Sequence, residues 1–312
     1  MHNKLLILFM GAIIACSLTV ITSLATTAKA TDFGTTPQQN EGQEATMLPP
    51  FDLTLESSYT AAGNTEFRGS KFGNSYAYNM DIGLSTRASL NEHWSLPLEL
   101  KSQNLSLGSP AGVPVPEDIH TLQFSTGLNY RPNDRWMFMA RVGPELYNFN
   151  DIDGNDIGVS GGITAMWNYS PSLKFMFGVN FSPDSDLKVM PMAGLDWVIN
   201  DQWDLCLMLP NPRLIYTLDD HWSFHVGADL NMVTFRTSDS LGTSIGLPQY
   251  NDELGSYRDI RIGAGVSYRI NRTMSVEADA GYSVNRQIDY TNIHESVMFD
   301  SAAPYVALHL NF

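Results

Sequence analysis

From Phe51 onward the chain alternates apolar and polar residues with a period of two, and no segment shows a convincing helical period. Tyr76, Tyr78, Met80, Ile82, Leu84 and Leu90 alternate with Asn79, Asp81, Gly83, Ser85, Arg87 and Ser89. Trp222, Phe224, Val226, Ala228, Leu230 and Met232 alternate with Ser223, His225, Gly227, Asp229 and Asn231. Runs beginning near Leu122, Ile260 and Met274 repeat the pattern, and Val306, Leu308, Leu310 and Phe312 end it. Many runs exceed the ~9–11 residues that a tilted strand needs to cross a bilayer. The second face is rich in glycine, serine and charge, as a wet lumen requires and a packed core does not. The pattern predicts an all-β protein: one transmembrane antiparallel β-barrel over residues 51–312, with its apolar set turned to lipid.

The connections carry a second signal. Asn91-Glu92-His93-Trp94, Asn133-Asp134-Arg135-Trp136, Asn200-Asp201-Gln202-Trp203 and Asp219-Asp220-His221-Trp222 share one form. Each is a short turn led by Asn or Asp, which tolerate tight backbone geometry, followed by Trp as the first residue of a strand. Trp at a strand end suits the membrane–water boundary. Trp94, Trp136, Trp203 and Trp222, with Phe312, are therefore expected to form an aromatic girdle at the short-turn, periplasmic side. Longer polar connections are expected over 61–74, 107–119, 150–157, 183–187, 237–254 and 288–297. The count comes to about fourteen strands if 203–209 and 213–218 form a short hairpin around Pro210-Asn211-Pro212, and to twelve if that stretch is irregular.

Residues 1–30 read as a cleaved secretory signal: Lys4, an apolar run from Leu5 to Ala15, and Ala28-Lys29-Ala30 as the cleavage site. Ile13-Ile14-Ala15-Cys16 loosely resembles a lipoprotein cleavage box, a second variant. Residues 31–50 are polar and end in Pro49-Pro50, which predicts a disordered periplasmic leader. Losing the signal removes Lys4 and Lys29 and no acid, so 33 acidic groups outweigh the basic ones further still. That balance excludes nucleic acid as a partner. Only Cys206 remains after cleavage, so no internal disulfide is expected.

The alternating Pro304–Phe312 segment resembles the closing strand of bacterial outer-membrane barrels, which commonly ends in Phe. Leu205-Cys206-Leu207-Met208-Leu209-Pro210, followed by Tyr216-Thr217-Leu218 and Trp222, resembles a family of bacterial outer-membrane β-barrel proteins known only as a domain of unknown function. That resemblance covers most of residues 51–312. It implies location and fold and supplies no catalytic residues. The closing strand further implies contact with the barrel-assembly machinery.

Candidate chemistry is sparse. Asp151-Ile152-Asp153-Gly154-Asn155-Asp156 offers carboxylates for Ca²⁺, but Asp156 stands where an EF-hand needs Gly and Gly162 where it needs Glu. No metal-ligating or catalytic residue is assigned, and no cofactor is expected. His225 and His309 point inward from strands far apart in sequence, and Cys206 is expected inward on a short strand. The inward charges are more informative as a set. Asp81, Glu99, Glu145, Asp196, Asp204, Asp229, Asp259, Glu277 and Asp279 mix with Arg87, Lys101, Arg131, Arg141, Arg261 and Arg269. They either line a wet channel or pair across a narrow barrel and fill it. The leading expectation is a non-enzymatic outer-membrane barrel that passes or binds small polar solutes through this lumen. The alternative is a closed structural or surface-interaction barrel that acts through its extracellular loops.

Overall fold

The computed structural model describes residues 51–148, 154–185, 187–300 and 302–312. The expected signal and leader, together with Asp151, Asp153 and Asp186, lie outside the described residues.

The alternation resolves into strands β1 (Phe51–Phe67), β2 (Ser70–Ser89), β3 (Trp94–Leu107), β4 (Asp118–Asn133) and β5 (Trp136–Leu146). Then come β6 (Ile157–Ser170), β7 (Leu173–Phe181), β8 (Val189–Val198), β9 (Trp203–Cys206) and β10 (Arg213–Thr217). The chain ends in β11 (Trp222–Arg236), β12 (Leu254–Arg269), β13 (Ser275–Tyr290), β14 (Glu295–Asp300) and β15 (Ala303–Asn311). Each strand pairs antiparallel with its sequence neighbour, and β14 and β15 both lie between β13 and β1. They are two pieces of one wall position, so the sheet closes as a fourteen-position barrel. Phe312 completes the seam: its N–H donates to Leu53 O at 2.9 Å and its carbonyl accepts from Leu53 N at 3.1 Å. Closure removes the edges that an open sheet would expose.

The outer face carries the apolar set. Ile163, Val226, Ile262 and Val306 are each more than half exposed. A continuous belt of such residues has no counterpart in a water-soluble fold and requires lipid. Fourteen is therefore the strand count, and β9 with β10 is the short hairpin that it depends on.

Two expected loops are strand instead. Over 61–74, β1 and β2 run on to a tight turn at Arg68 and Gly69, both at positive φ. Over 288–297, β13 extends to Tyr290 and β14 begins at Glu295. These hairpins outreach the bilayer, so their tips are polar without being loops.

The short turns share one geometry. Asn91 Oδ1 accepts from the backbone N–H groups of His93 and Trp94, and Asn133, Asn200 and Asp219 do the same for the residues two and three ahead. Asn271 caps Thr273 and Met274 in the same way. The leading Asn or Asp therefore satisfies donors that a two-strand turn leaves free.

The interior is uneven. At the opposite, long-strand end, an apolar core packs inside the barrel: Leu105, Leu107, Val233, Phe235, Ile288 and Val297 point inward and are buried. Val113 and Val115 from the β3–β4 connection, and Tyr250 from the β11–β12 connection, fold in to complete it. Tyr250 meets Tyr290 edge-on at 4.9 Å and Phe67 at 6.0 Å. Every strand that supplies this core belongs to β1–β4 or β11–β14, and none to β5–β10.

Candidate functional site: the barrel lumen

The lumen charges fall into three groups. Asp259 and Arg261 bond at 2.8 Å directly beneath the apolar core, and their side chains are 0% and 1% exposed. Arg261 also donates to Ser58 at 3.0 Å, and Ser283 donates to Asp259. This layer is shut off from water.

A second group runs across β1, β15, β13 and β11. Register sets Glu56 opposite His309 and His309 opposite Glu277. His309 Nδ1 lies 3.5 Å from Glu56, and its Nε2 lies 3.3 Å from Asp279. His225 Nε2 donates to Asp279 Oδ1 at 2.6 Å, and Arg213 donates to Glu277 at 2.6 Å. Both contacts reach over glycine. Gly265 stands in register between His225 and Asp279, and a Cβ there would collide with both. Gly227, Gly263 and Gly281 are successive partners beside Arg213, leaving a furrow in the wall that the Tyr305 ring enters near Gly263. Asp229 accepts from Asn211 at 2.7 Å at the edge of this group.

The ligand atoms of His225, Glu277 and Asp279 lie within 4.8 Å of one another, the spacing a metal ion could bridge. The Arg213 guanidinium and the rings of His225 and His309 already lie against these carboxylates, so their oxygens have partners without an ion. The hydrogen-bonding partners of both histidine rings are carboxylates; among the described residues no serine hydroxyl bonds to either ring.

The third group is more accessible, apart from Asp81, which is buried. Asp81 bonds to Lys101 at 3.2 Å and accepts from Gln103 and Asn79. Glu99 pairs with Arg141 at 3.3 Å with both side chains more than one third exposed, and Asp196 pairs with Lys174 at 3.3 Å with about one quarter exposed. These residues face inward, so their exposure is to the space inside the barrel. Arg87, Arg269 and Glu145 have no ion-pair partner among the described residues, and Arg131 reaches the Met137 sulfur at 3.8 Å. Asp204 and Cys206 share β9, and Cys206 is a half-buried free thiol in register with Asp196.

The expected girdle residues sit beside the short turns. Trp94 stacks on Tyr130 at 4.4 Å, Trp136 on Trp167 at 5.8 Å, Trp203 packs on Tyr216 at 5.0 Å and Trp222 on Tyr268 at 4.6 Å. At the other end, Arg68 forms a two-pronged pair with Glu295 (shortest contact 2.8 Å), and the Tyr250 hydroxyl donates to the same carboxylate. These bonds hold the Glu295 carboxyl below its ordinary range, the Arg68 contact contributing most.

Sequence reasoning missed the apolar core. Its only signal was that strand ends such as Val233-Thr234-Phe235 and Leu105-Ser106-Leu107 place apolar residues on the face that is polar elsewhere.

No curated protein matches this chain. Among solved structures it is similar to an outer-membrane channel from Pseudomonas putida F1, with TM-score 0.47 and 10% identity over 88% of this chain and 99% of that one. The toluene transporter TodX of P. putida is similar at TM-score 0.38 and 10% identity, over 84% and 88% of the two chains. The NanC porin is similar at 0.37 and 8%, over 83% and 98%. At these scores the likenesses say nothing of what this barrel carries. Residues 56–312 match one family across most of the chain, and the protein belongs to it: the domain of unknown function DUF6268.

Proposed function

We propose that the protein is an outer-membrane barrel that passes or binds small polar solutes along the inner face of β5–β10. The supporting observation is the unequal interior. The apolar core draws on eight strand segments and leaves β5–β10 outside it, lined by methionines among small, polar and charged groups, with the Glu99–Arg141 pair exposed inside the wall. Glycines at 143, 162, 178 and 194 keep that face thin. The girdle, the lipid-facing belt and the short turns support an orientation with the turns in the periplasm and the Arg68–Gly69 hairpin outside. Residues 1–30 act as the export signal, and the closing strand β15 is the segment offered to the assembly machinery. No covalent chemistry enters this function, and lipid and solute are its partners.

A second reading has its own support. Most lumen charges are paired, and the core fills the outer end beneath loops 108–117 and 237–253, as a closed barrel acting through its loops requires. Swelling of liposomes containing the refolded barrel separates the two. Passage predicts swelling with a pentose and less with a trisaccharide; no swelling with either favours the closed barrel.

A further inference from the structure

Half of the chain's fourteen methionines face the lumen on one side of the barrel. Register sets Met137 opposite Met166, and Met166 opposite Met176, on the inner faces of β5, β6 and β7. Met176 is in turn opposite Gly194 on β8, and the missing side chain there is the space that Met208 enters. Four thioethers thus form one row, from β5, β6 and β7 across Gly194 of β8 to the segment that follows β9. Above it stand Met139 and Met192, and Met190 follows beside Asn180, whose amide touches the Met192 sulfur at 3.3 Å.

Hydrophobicity does not explain this choice. Apart from Val198 at the rim, every apolar side chain at the inward positions of β5–β9 carries sulfur. The outward positions of the same strands use Phe138, Val142, Ile163, Phe177 and Val189. The apolar core across the lumen uses Val, Leu, Ile, Phe and Tyr. Only this wall is built of methionine. Directly opposed residues bring their Cβ atoms to about 4.5–5.5 Å, and three rotatable bonds let methionine sulfurs converge.

We propose that the Met137–Met166–Met176–Met208 row is a binding wall for soft monovalent cations, of the Cu(I) and Ag(I) class. Thioethers are soft, neutral ligands that favour such ions over hard cations such as Na⁺ or Mg²⁺. Cys206 and Asp196 are register partners on β9 and β8, next to this row, and bring a thiol and a carboxylate to its lower side. The neutral sulfurs bind without trapping the ion by charge, which suits transfer along the wall. This inference rests on the proposal that water and solutes reach the inner face of β5–β8.

The test is Ag⁺ binding by the full barrel in detergent, in chloride-free buffer, with Cys206→Ser as parent to remove the thiol. The variant carries Met137→Leu, Met166→Leu and Met176→Leu, which keep volume and apolarity, and heat-modifiable migration on gels checks that it is folded. Saturable Ag⁺ binding by the parent and its loss in the triple variant is the expected result. Equal uptake by both, or none by the parent, overturns the assignment. If the triple variant fails to fold, Met166→Leu alone serves, because Met166 is central in the row; unchanged affinity there is equally fatal. K⁺ conductance of the same preparations separates the two proposals. A conducting barrel that takes no Ag⁺ defeats the soft-cation wall alone, whereas a silent barrel that binds Ag⁺ through these methionines upholds the wall and defeats passage.

Discussion

His225 and Asp279 are bonded at 2.6 Å although β12 runs between their strands. The residue that β12 places between them is Gly265, whose lack of a side chain lets the ring and the carboxylate meet over the backbone. Three carboxylates, two imidazoles and Arg213 are held in one network by this and the neighbouring glycines.

Gly265→Ala is therefore expected to push His225 and Asp279 apart. Overpacking of this kind costs about 1–3 kcal/mol. Urea unfolding of the barrel in lipid vesicles measures it, and a variant as stable as the parent shows that the contact does not depend on this glycine.

The outer face gives a second test. Ile262 is 53% exposed near the middle of β12. Ile262→Arg is expected to cost about 2–4 kcal/mol in a bilayer, as for an arginine near midplane. Near-neutral stability in vesicles contradicts the lipid-facing assignment of this side of β12.

The Glu295 carboxyl, bonded by Arg68 and Tyr250, titrates below its ordinary value. Its folded value is thus below its unfolded one, so the latch between the β1–β2 tip and the 237–253 loop is fully formed above about pH 4.3. It weakens as the pH falls through the folded value. Hydrogen exchange at Tyr250 and Asn251 is expected to accelerate in that acidic window, and Glu295→Gln is expected to show the fast rate already at neutral pH.

Phe312 closes the seam through two backbone bonds to Leu53. Deleting it is expected to slow insertion into the outer membrane, read as loss of the heat-modifiable folded band in membrane fractions. Normal accumulation of that band counts against a role for this residue in assembly.

Much of the fold was legible because a barrel writes its two environments onto alternate residues. Met80 and Ile82 against Asp81, or Val226 against His225 and Gly227, announce lipid on one side and the lumen on the other. The turns were legible because Asn91, Asn133, Asn200 and Asp219 each do the same capping job before a Trp. Three things were not. The ends of β1 and β13 carry polar residues that resemble loop, because strand beyond the bilayer has no lipid to face. The apolar core depends on Val113, Val115 and Tyr250 folding in from loops, which no local period reveals. The meeting of His225 with Asp279, and of Met137 with Met166 and Met176, is a matter of register between strands. A single sequence gives which face a residue is on and not which residue stands opposite.

The most direct test is single-channel conductance of the refolded barrel in a planar bilayer, with an empty-bilayer control and Cys206→Ser as background. Thr164→Cys places a thiol on the inner face beside Met139 and opposite Gly178. The account predicts stable conductance steps with a cation preference, and partial block when a bulky thiol reagent is added to the Thr164→Cys barrel. A barrel that inserts but stays silent, or steps that the reagent leaves unchanged, would contradict passage along β5–β10.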